Sequence, residues 1–456
     1  MAQYVPTELG TRSIPRLLFQ YAVPAIIAMT AASLYNIVDS IFIGHIGPDG
    51  NWGNSDGMAI SGLALTFPLM NISVALGAMV GVGASTVISV RLGQREYKTA
   101  QHVLGNTVVL NVLLGALFMV ACLIYIDPIL RLFGASDATL PYARDYMVVI
   151  LLGNIISHSY FGLNAVLRSA GHPEKAMYCT ILTVVVNAVL DPIFIFSFGM
   201  GIRGAATATI LSQLISLIWQ FKLLSNKQEM LHLHRGIYRL KPGIIRQIIA
   251  VGMSPFLMNL CACLVVLLIN KGMKQYGGDM AIAAYGIVNR VVFLFLMMVM
   301  GLNQGMQPIV GYNWGARQNA RVWQTLKLTI LCAEVVVITG FIMGELFPNT
   351  LTHLFTDNQP IIQMADRGFR IDVMVFPIVG AQMVIGNFFQ SIGHAGKSIF
   401  QSLTRQMLFL IPGLIFLPPK FGLDGVWMAI PVSDAFSFFV SMGMLWWLVR
   451  KVGRSA

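Results

Sequence analysis

The residues of this chain best suited to chemistry are two acids in otherwise apolar surroundings. Asp39 follows Tyr35 and Asn36 by four and three positions, so on a helix the three side chains share one face. Asn187 and Asp191 repeat the arrangement four residues apart, and Thr207, Thr209 and Ser212 add hydroxyls shortly afterwards. Two carboxylates brought together in a low-dielectric site cannot both stay ionised without a cation. A proton satisfies that requirement. So does Na⁺, for which Asp39, Asn187, Asp191 and Thr209 offer an all-oxygen ligand set, and the residue types alone leave both ions open.

The elements that carry these residues read as membrane helices. The chain has 456 residues, of which 56% are hydrophobic and only 11% charged, and its mean hydropathy is +0.72. Apolar runs of about 20 residues, the length that crosses a bilayer as helix, recur between short Gly, Pro and charged segments. They place twelve crossings near 15–43, 58–82, 100–126, 141–163, 176–199, 204–223, 245–270, 281–308, 322–347, 368–389, 398–418 and 425–449. Twenty-one of the thirty Lys and Arg then fall on the side of the termini and eight on the other, which predicts cytoplasmic termini. The first crossing is too long for a signal-peptide core, and a multi-pass protein of a bacterial inner membrane is expected.

The halves of the chain are related. At an offset of 222, Gly93-Gln94-Arg95 meets Gly315-Ala316-Arg317, Leu132-Phe133 meets Leu354-Phe355, and Ser169-Ala170-Gly171-His172 meets Ser391-Ile392-Gly393-His394. The offset is 221 at Gly204/Gly425 and 231 at Pro24/Pro255, where the first half has a longer outer loop. Six crossings per half make the repeat parallel, so the predicted fold is all-α, with two pseudo-symmetric six-helix lobes. The lobes are expected at 1–223 and 245–456, joined by a basic cytoplasmic connector at 224–244. The second-half equivalents of Asp39 and Asp191 are near Asn270 and Gly413, so the acids belong to one lobe and argue for function rather than fold.

Pro24 lies fifteen residues before Asp39 and removes a backbone hydrogen bond from crossing 1, a natural hinge. In the second half Arg290, Glu334, Asp372 and Asp434 are scattered. Arg290 is expected to pair with Asp372 or Asp434, Glu334 has no partner identifiable from sequence, and the roles of these three acids stay open. Met297 belongs to a methionine cluster with Met298, Met300 and Met306, a flexible lining for varied ligands.

These observations exclude several classes. A net charge of +11 is spread over short loops, so nucleic acid is not an expected partner. The five cysteines show no CxxC spacing, no histidine cluster suggests a resident metal, and there is no HExxH or GxSxG, so neither a cofactor nor enzymatic activity is expected.

The chain resembles the multidrug and toxic compound extrusion (MATE) family over essentially its whole length. The resemblance rests on the 6+6 parallel repeat, the Pro24…Asp39 spacing, Asn187-xxx-Asp191-Pro192 and the paired Gly-x-Arg loops. Asn289-Arg290 and Gln307-Pro308…Tyr312-Asn313-Trp314-Gly315 place it near the MepA-like and proton-coupled DinF-like members. The resemblance implies a secondary active exporter of small, lipophilic, cationic drugs or dyes. It implies a first-lobe cation site at Asp39, Asn187, Asp191 and Thr209, with Asn36 beside it. It adds a cavity that Tyr146 and Asn164 would face, to which the residue types and positions of Tyr35, Arg290 and Met297 add further candidates for a substrate lining, and rocker-switch alternation with crossing 1 bending near Pro24. Sodium-coupled members carry an acid on crossing 7; residues 245–270 hold none, so H⁺ is the expected coupling ion, with Na⁺ as the alternative. A flippase for lipid-linked sugar precursors, or a metabolite exporter of the same fold, is the competing cargo assignment. Membrane lipids are expected partners and a monomer the expected state.

Overall fold

A computed structural model describes residues 5–44, 46, 58–356 and 358–453. The described residues are helical almost throughout, as a bilayer requires of any segment that must satisfy its own backbone polar groups. Among them, nine helices are long and apolar enough to span. Two more spans are helix pairs, Leu140–Leu152 with Asn154–Ser169 and Gln359–Val373 with Phe376–Ser391, bent by 57° and 54°. The 74-residue helix Pro242–Gly315 is interrupted at Gly278, whose φ of 70° is left-handed, and therefore supplies two crossings. The total is twelve.

The internal repeat is visible in backbone detail as well as in sequence. Arg95 and Arg317, at equivalent positions of the Gly-x-Arg loops, are the two non-glycine residues with positive φ among those described, at 61° and 59°. The next N–H in each loop reaches back to the same carbonyl position, Glu96 to Arg91 and Gln318 to Asn313, both at 2.9 Å. Gly171 and Gly393, then Gly201 and Gly422, repeat left-handed turns at helix ends. The first helices of the bent crossings are stapled in both halves with the charges reversed: Asp145 accepts from Arg203 at 2.6 Å, and Arg367 donates to Asp424.

Packing divides the chain into two compact units whose limits differ from the expected lobe limits. One contains 27–256 and the residues before 12; the other contains 12–26 and the residues from 257 on. Two of the changes of unit, between 26 and 27 and between 256 and 257, fall just after Pro24 and its repeat mate Pro255.

In the first unit, Gly83 and Gly252 let crossings 2 and 7 meet backbone to backbone: an added Cβ would lie 2.1 Å from Ile248 O and 1.8 Å from Met79 O. In the second unit Gly301 and Gly305, on crossing 8, bring the start of crossing 1 similarly close at Ile26 and Ala22. Such small-residue contacts replace hydrophobic burial as the source of helix association in lipid.

The connector is more than a topogenic linker. Asn106 on crossing 3 donates to Arg239 O at 3.0 Å and accepts from the Lys241 N–H at 2.9 Å. Gln101 donates to Met230 O at 2.9 Å, so the segment is strapped across the end of the first unit.

Candidate functional site

The carboxylates on crossings 1 and 5 meet inside the first unit. Asp39 is 6% exposed and Asp191 and Asn187 are fully buried. The two carboxyls lie within hydrogen-bonding reach of each other. The Asn187 amide donates to Asp191 Oδ1 at 3.2 Å and approaches Thr209 Oγ1 at 3.4 Å. The Thr209 hydroxyl in turn donates to Ala205 O at 3.1 Å, which fixes its oxygen towards Asn187.

Helix periodicity aligns Asn187 with Asp191, and contact between crossings 5 and 6 brings in Thr209. Beyond Pro192 the helix widens into a π-turn, Ile193–Ser197, as expected where proline removes an amide from the ladder.

Three acceptor oxygens at this site, Asp39 Oδ1, Asp191 Oδ2 and Asn187 Oδ1, are buried without a hydrogen-bond partner. Nothing basic is ion-paired to either acid among the described residues. Two buried carboxyls with unfilled acceptors and no fixed counter-charge can take up a proton or an oxygen-liganded monovalent cation. No cluster of three His, Cys, Asp or Glu that could hold a metal ion occurs among the described residues.

The remaining expected site residues are dispersed. Tyr35 and Asn36 lie on the crossing 1 helix, but their side chains are outside the described residues. Tyr146 is 1% exposed in the apolar core of the first unit, with Ile43, Leu63, Ile150 and Ala206. Asn164 ties crossing 4 to crossing 5, donating to Ala176 O at 2.9 Å and accepting from Arg168 at 2.5 Å. Pro24 is buried in the second unit, and Met297 is half-buried on crossing 8.

Arg290 sits on an exposed face of crossing 8 and forms no ion pair with Asp372 or Asp434. The expected pairing is corrected: the partner of Asp434 is Arg405, at 2.5 Å. Arg405 lies within the apolar run 398–418 and escaped the reading of the sequence. An arginine inside a predicted crossing is the available signal, since a buried acid close by is the usual reason for one. Glu334 does have a partner, accepting the Ala381 N–H at 2.7 Å.

Sequence reasoning also passed over His158. The Ser73 hydroxyl donates to Asn154 and lies 3.2 Å from His158 Nε2. Asn154 donates to Gly115 O at 3.2 Å and so holds the break in crossing 4.

A family model named MatE matches residues 24–193 and 252–415, two blocks that follow the repeat. The chain belongs to the MatE family. Similar curated relatives include the multidrug export protein MepA of Staphylococcus aureus (strain MSSA476), 25% identical over 427 residues, covering 94% of this chain and 92% of that protein. MepA of Staphylococcus haemolyticus (strain JCSC1435) is 26% identical over 440 residues, covering 96% and 95%.

Among solved structures, the MATE multidrug transporter DinF-BH, in complex with a dye, is 36% identical, with a TM-score of 0.86 and 96% of each chain covered. A MATE protein in the bent conformation superposes with a TM-score of 0.92 at 23% identity, covering 99% of each chain, and shows the shared fold. MatE proteins are multi-pass membrane transporters, and this chain is a transporter of that family. The solved relatives have twelve membrane helices in two lobes, in agreement with the twelve crossings here.

Proposed function

We propose that this protein exports small lipophilic organic cations, of the drug and dye kind, in exchange for an inward-moving cation, with H⁺ as the coupling ion. The observation that carries the reading is the buried Asp39–Asp191 pair with no fixed counter-charge. A proton and a cationic cargo compete for the same buried negative charge, so occupancy by one lowers affinity for the other. By linkage, that competition is the thermodynamic core of antiport. Asn187 and Thr209 orient and solvate the pair, and Asn36 is assigned to the site from its spacing to Asp39 in sequence; Na⁺ on the same oxygens is the second ion consistent with the donor set.

Cargo chemistry is supported by the relatives: MepA is a multidrug exporter, and DinF-BH was solved with a dye bound. Tyr35, Arg290 and Met297 remain the proposed substrate-facing residues, while Tyr146 and Asn164, buried in the first unit, are proposed to act through the walls they brace. Alternation is of the rocker-switch type, with crossing 1 hinging at Pro24, just before the helix passes from one compact unit to the other. The protein is placed in a bacterial inner membrane, as a monomer, with cytoplasmic termini.

Proteoliposomes loaded with a fluorescent lipophilic cation, under separately imposed H⁺ and Na⁺ gradients, test the proposal. Export that follows the H⁺ gradient and falls at least ~100-fold in Asp39→Asn, a loss of about 2.7 kcal/mol of coupling, is the expected result. Export driven by Na⁺ alone would replace the ion. No export of the dye by folded protein under either gradient would overturn the drug assignment in favour of a lipid-linked or metabolite cargo.

A further inference from the structure

The repeat exposes an anion site that one half of the molecule fills from its own chain and the other half leaves open. In the first unit, His172 and Lys175 stand where crossing 4 turns into crossing 5. Glu229 of the connector lies over both: its Oε1 is 2.9 Å from His172 Nε2 and 3.7 Å from Lys175 Nζ. Their repeat mates, at an offset of 222, are His394 and Lys397, where crossing 10 turns into crossing 11.

Among the described residues no acidic strap is ion-paired over this second pair. Crossing 6 stops at Leu224 and gives way to the strap, whereas crossing 12 continues as helix to Gly453. Among the described residues no acidic side chain is ion-paired to Lys397. Its ammonium lies 3.9 Å from the centre of the Trp447 ring instead, with Lys451 Nζ 5.2 Å from the same ring. One residue round the same helix, Arg450 stacks on Trp446 at 3.5 Å. His394 Nδ1 is buried without a hydrogen-bond partner. Burial, then the positive charges of Lys397 and Lys451, hold the His394 imidazole below its ordinary pKa, as a locally positive field requires.

Next to these cations runs a groove of about 390 Å³ lined by Lys397, Val440, Gly443, Met444 and Trp447. Val440, Met444, Trp447 and Lys451 follow each other at three- and four-residue steps and so share one face of crossing 12. Gly443 opens that face: a Cβ placed there would meet nothing within 4 Å. Trp446 and Trp447 are 56% and 48% exposed, and further along the helix Phe436 and Phe439 are 54% and 69% exposed, as lipid-facing aromatics of a membrane span are.

We propose that this groove binds an anionic phospholipid, its phosphate on Lys397 and Lys451 where Glu229 serves in the first unit, and an acyl chain along Val440, Gly443 and Met444. A free anion would leave the apolar part of the groove unused, and a zwitterionic lipid would bring its own cation against two lysines. The transport reading is not a premise of this site, and binding can be measured without any gradient.

The test uses the purified full-length protein in detergent and follows Trp447 emission, taken as wild type minus Trp447→Phe, during titration with phospholipids brominated on the acyl chains. Brominated phosphatidylglycerol should half-quench at about 25-fold lower mole fraction than brominated phosphatidylcholine, the factor expected of two basic residues near a lipid surface at about fivefold each. Lys397→Gln should cut the preference to about fivefold, while Lys397→Arg, which guards against misfolding, and Glu229→Gln, in the other unit, should keep it. Gly443→Leu should weaken quenching by both lipids. Equal quenching of the wild type by the two lipids, or full displacement of phosphatidylglycerol by millimolar inorganic phosphate, would overturn the assignment.

Discussion

Each compact unit holds a pair of buried acids, and the pairs are finished in opposite ways. Asp39 and Asp191 are surrounded by neutral donors, an amide and a hydroxyl, and three of the site's acceptor oxygens stay without partners. Asp434 is joined to Arg405 at 2.5 Å, with Asp372 buried nearby and only 7% exposed. The second unit therefore carries on its own chain a tethered counter-cation for Asp434, although Asp372 Oδ1 is buried without a hydrogen-bond partner, while the first has none among the described residues and so leaves room for one that can arrive and depart. An exporter coupled to an ion needs the site that leaves room. A tethered cation serves to hold helices in register, at the cost of desolvating both charges.

The largest effect that would sharpen this contrast is on stability. Arg405→Met leaves Asp434, whose side chain is 5% exposed, as a buried charge without a partner, and should cost about 3–5 kcal/mol. Thermal unfolding in detergent should show the loss, and the double variant Arg405→Met/Asp434→Leu should recover most of it. Recovery would establish the pair as a replaceable staple; persistent loss of transport in the stable double variant would give Arg405 a role in the cycle instead.

Asp39→Asn should behave in the opposite sense when the same unfolding is followed at neutral pH. Removing one member of an unmatched carboxyl pair relieves repulsion and desolvation, so the variant should unfold no earlier than wild type and gain roughly 1 kcal/mol, even though it no longer transports. A clear destabilisation would mean that the acid is structural, and the contrast between the units would fail.

The smallest effect concerns the reversed staples at the outer ends. Reversing Asp145 and Arg203 singly should cost under ~1 kcal/mol, since both groups are well exposed. Reversing both reproduces the polarity of Arg367 and Asp424 and should restore wild-type unfolding. Restoration would show that only the presence of an opposite pair matters at that position, and that its sign is free to drift between the halves.

Much of the architecture was legible because its signals are local or repeated. Apolar length gave the crossings, and the offset of 222 gave the parallel repeat, echoed in the φ angles of Arg95 and Arg317. The i, i+4 spacing of Asn187 and Asp191 announced one wall of the site. What escaped depended on which helices lie side by side. Arg405 finds Asp434 only because crossing 11 runs along crossing 12, and Glu334 finds the Ala381 amide across crossings 9 and 10. Asn164 has the residue type of a cavity lining, and only its bonds to Ala176 and Arg168 reveal a brace between helices.

The sequence by itself determined the membrane class, the two related halves and the acids' restriction to the first, since hydropathy, periodicity and internal similarity are properties of the chain read in order. Tertiary structure alone decided that Asp39 meets Asp191 with no basic side chain ion-paired to them among the described residues, that Asp434 has one, and that the stretches 12–26 and 242–256 pack with the opposite half of the chain. The physical reason is that a charge in a low-dielectric interior is governed by its nearest neighbours within a few ångströms, and those neighbours come from helices that the chain order separates by tens to hundreds of residues.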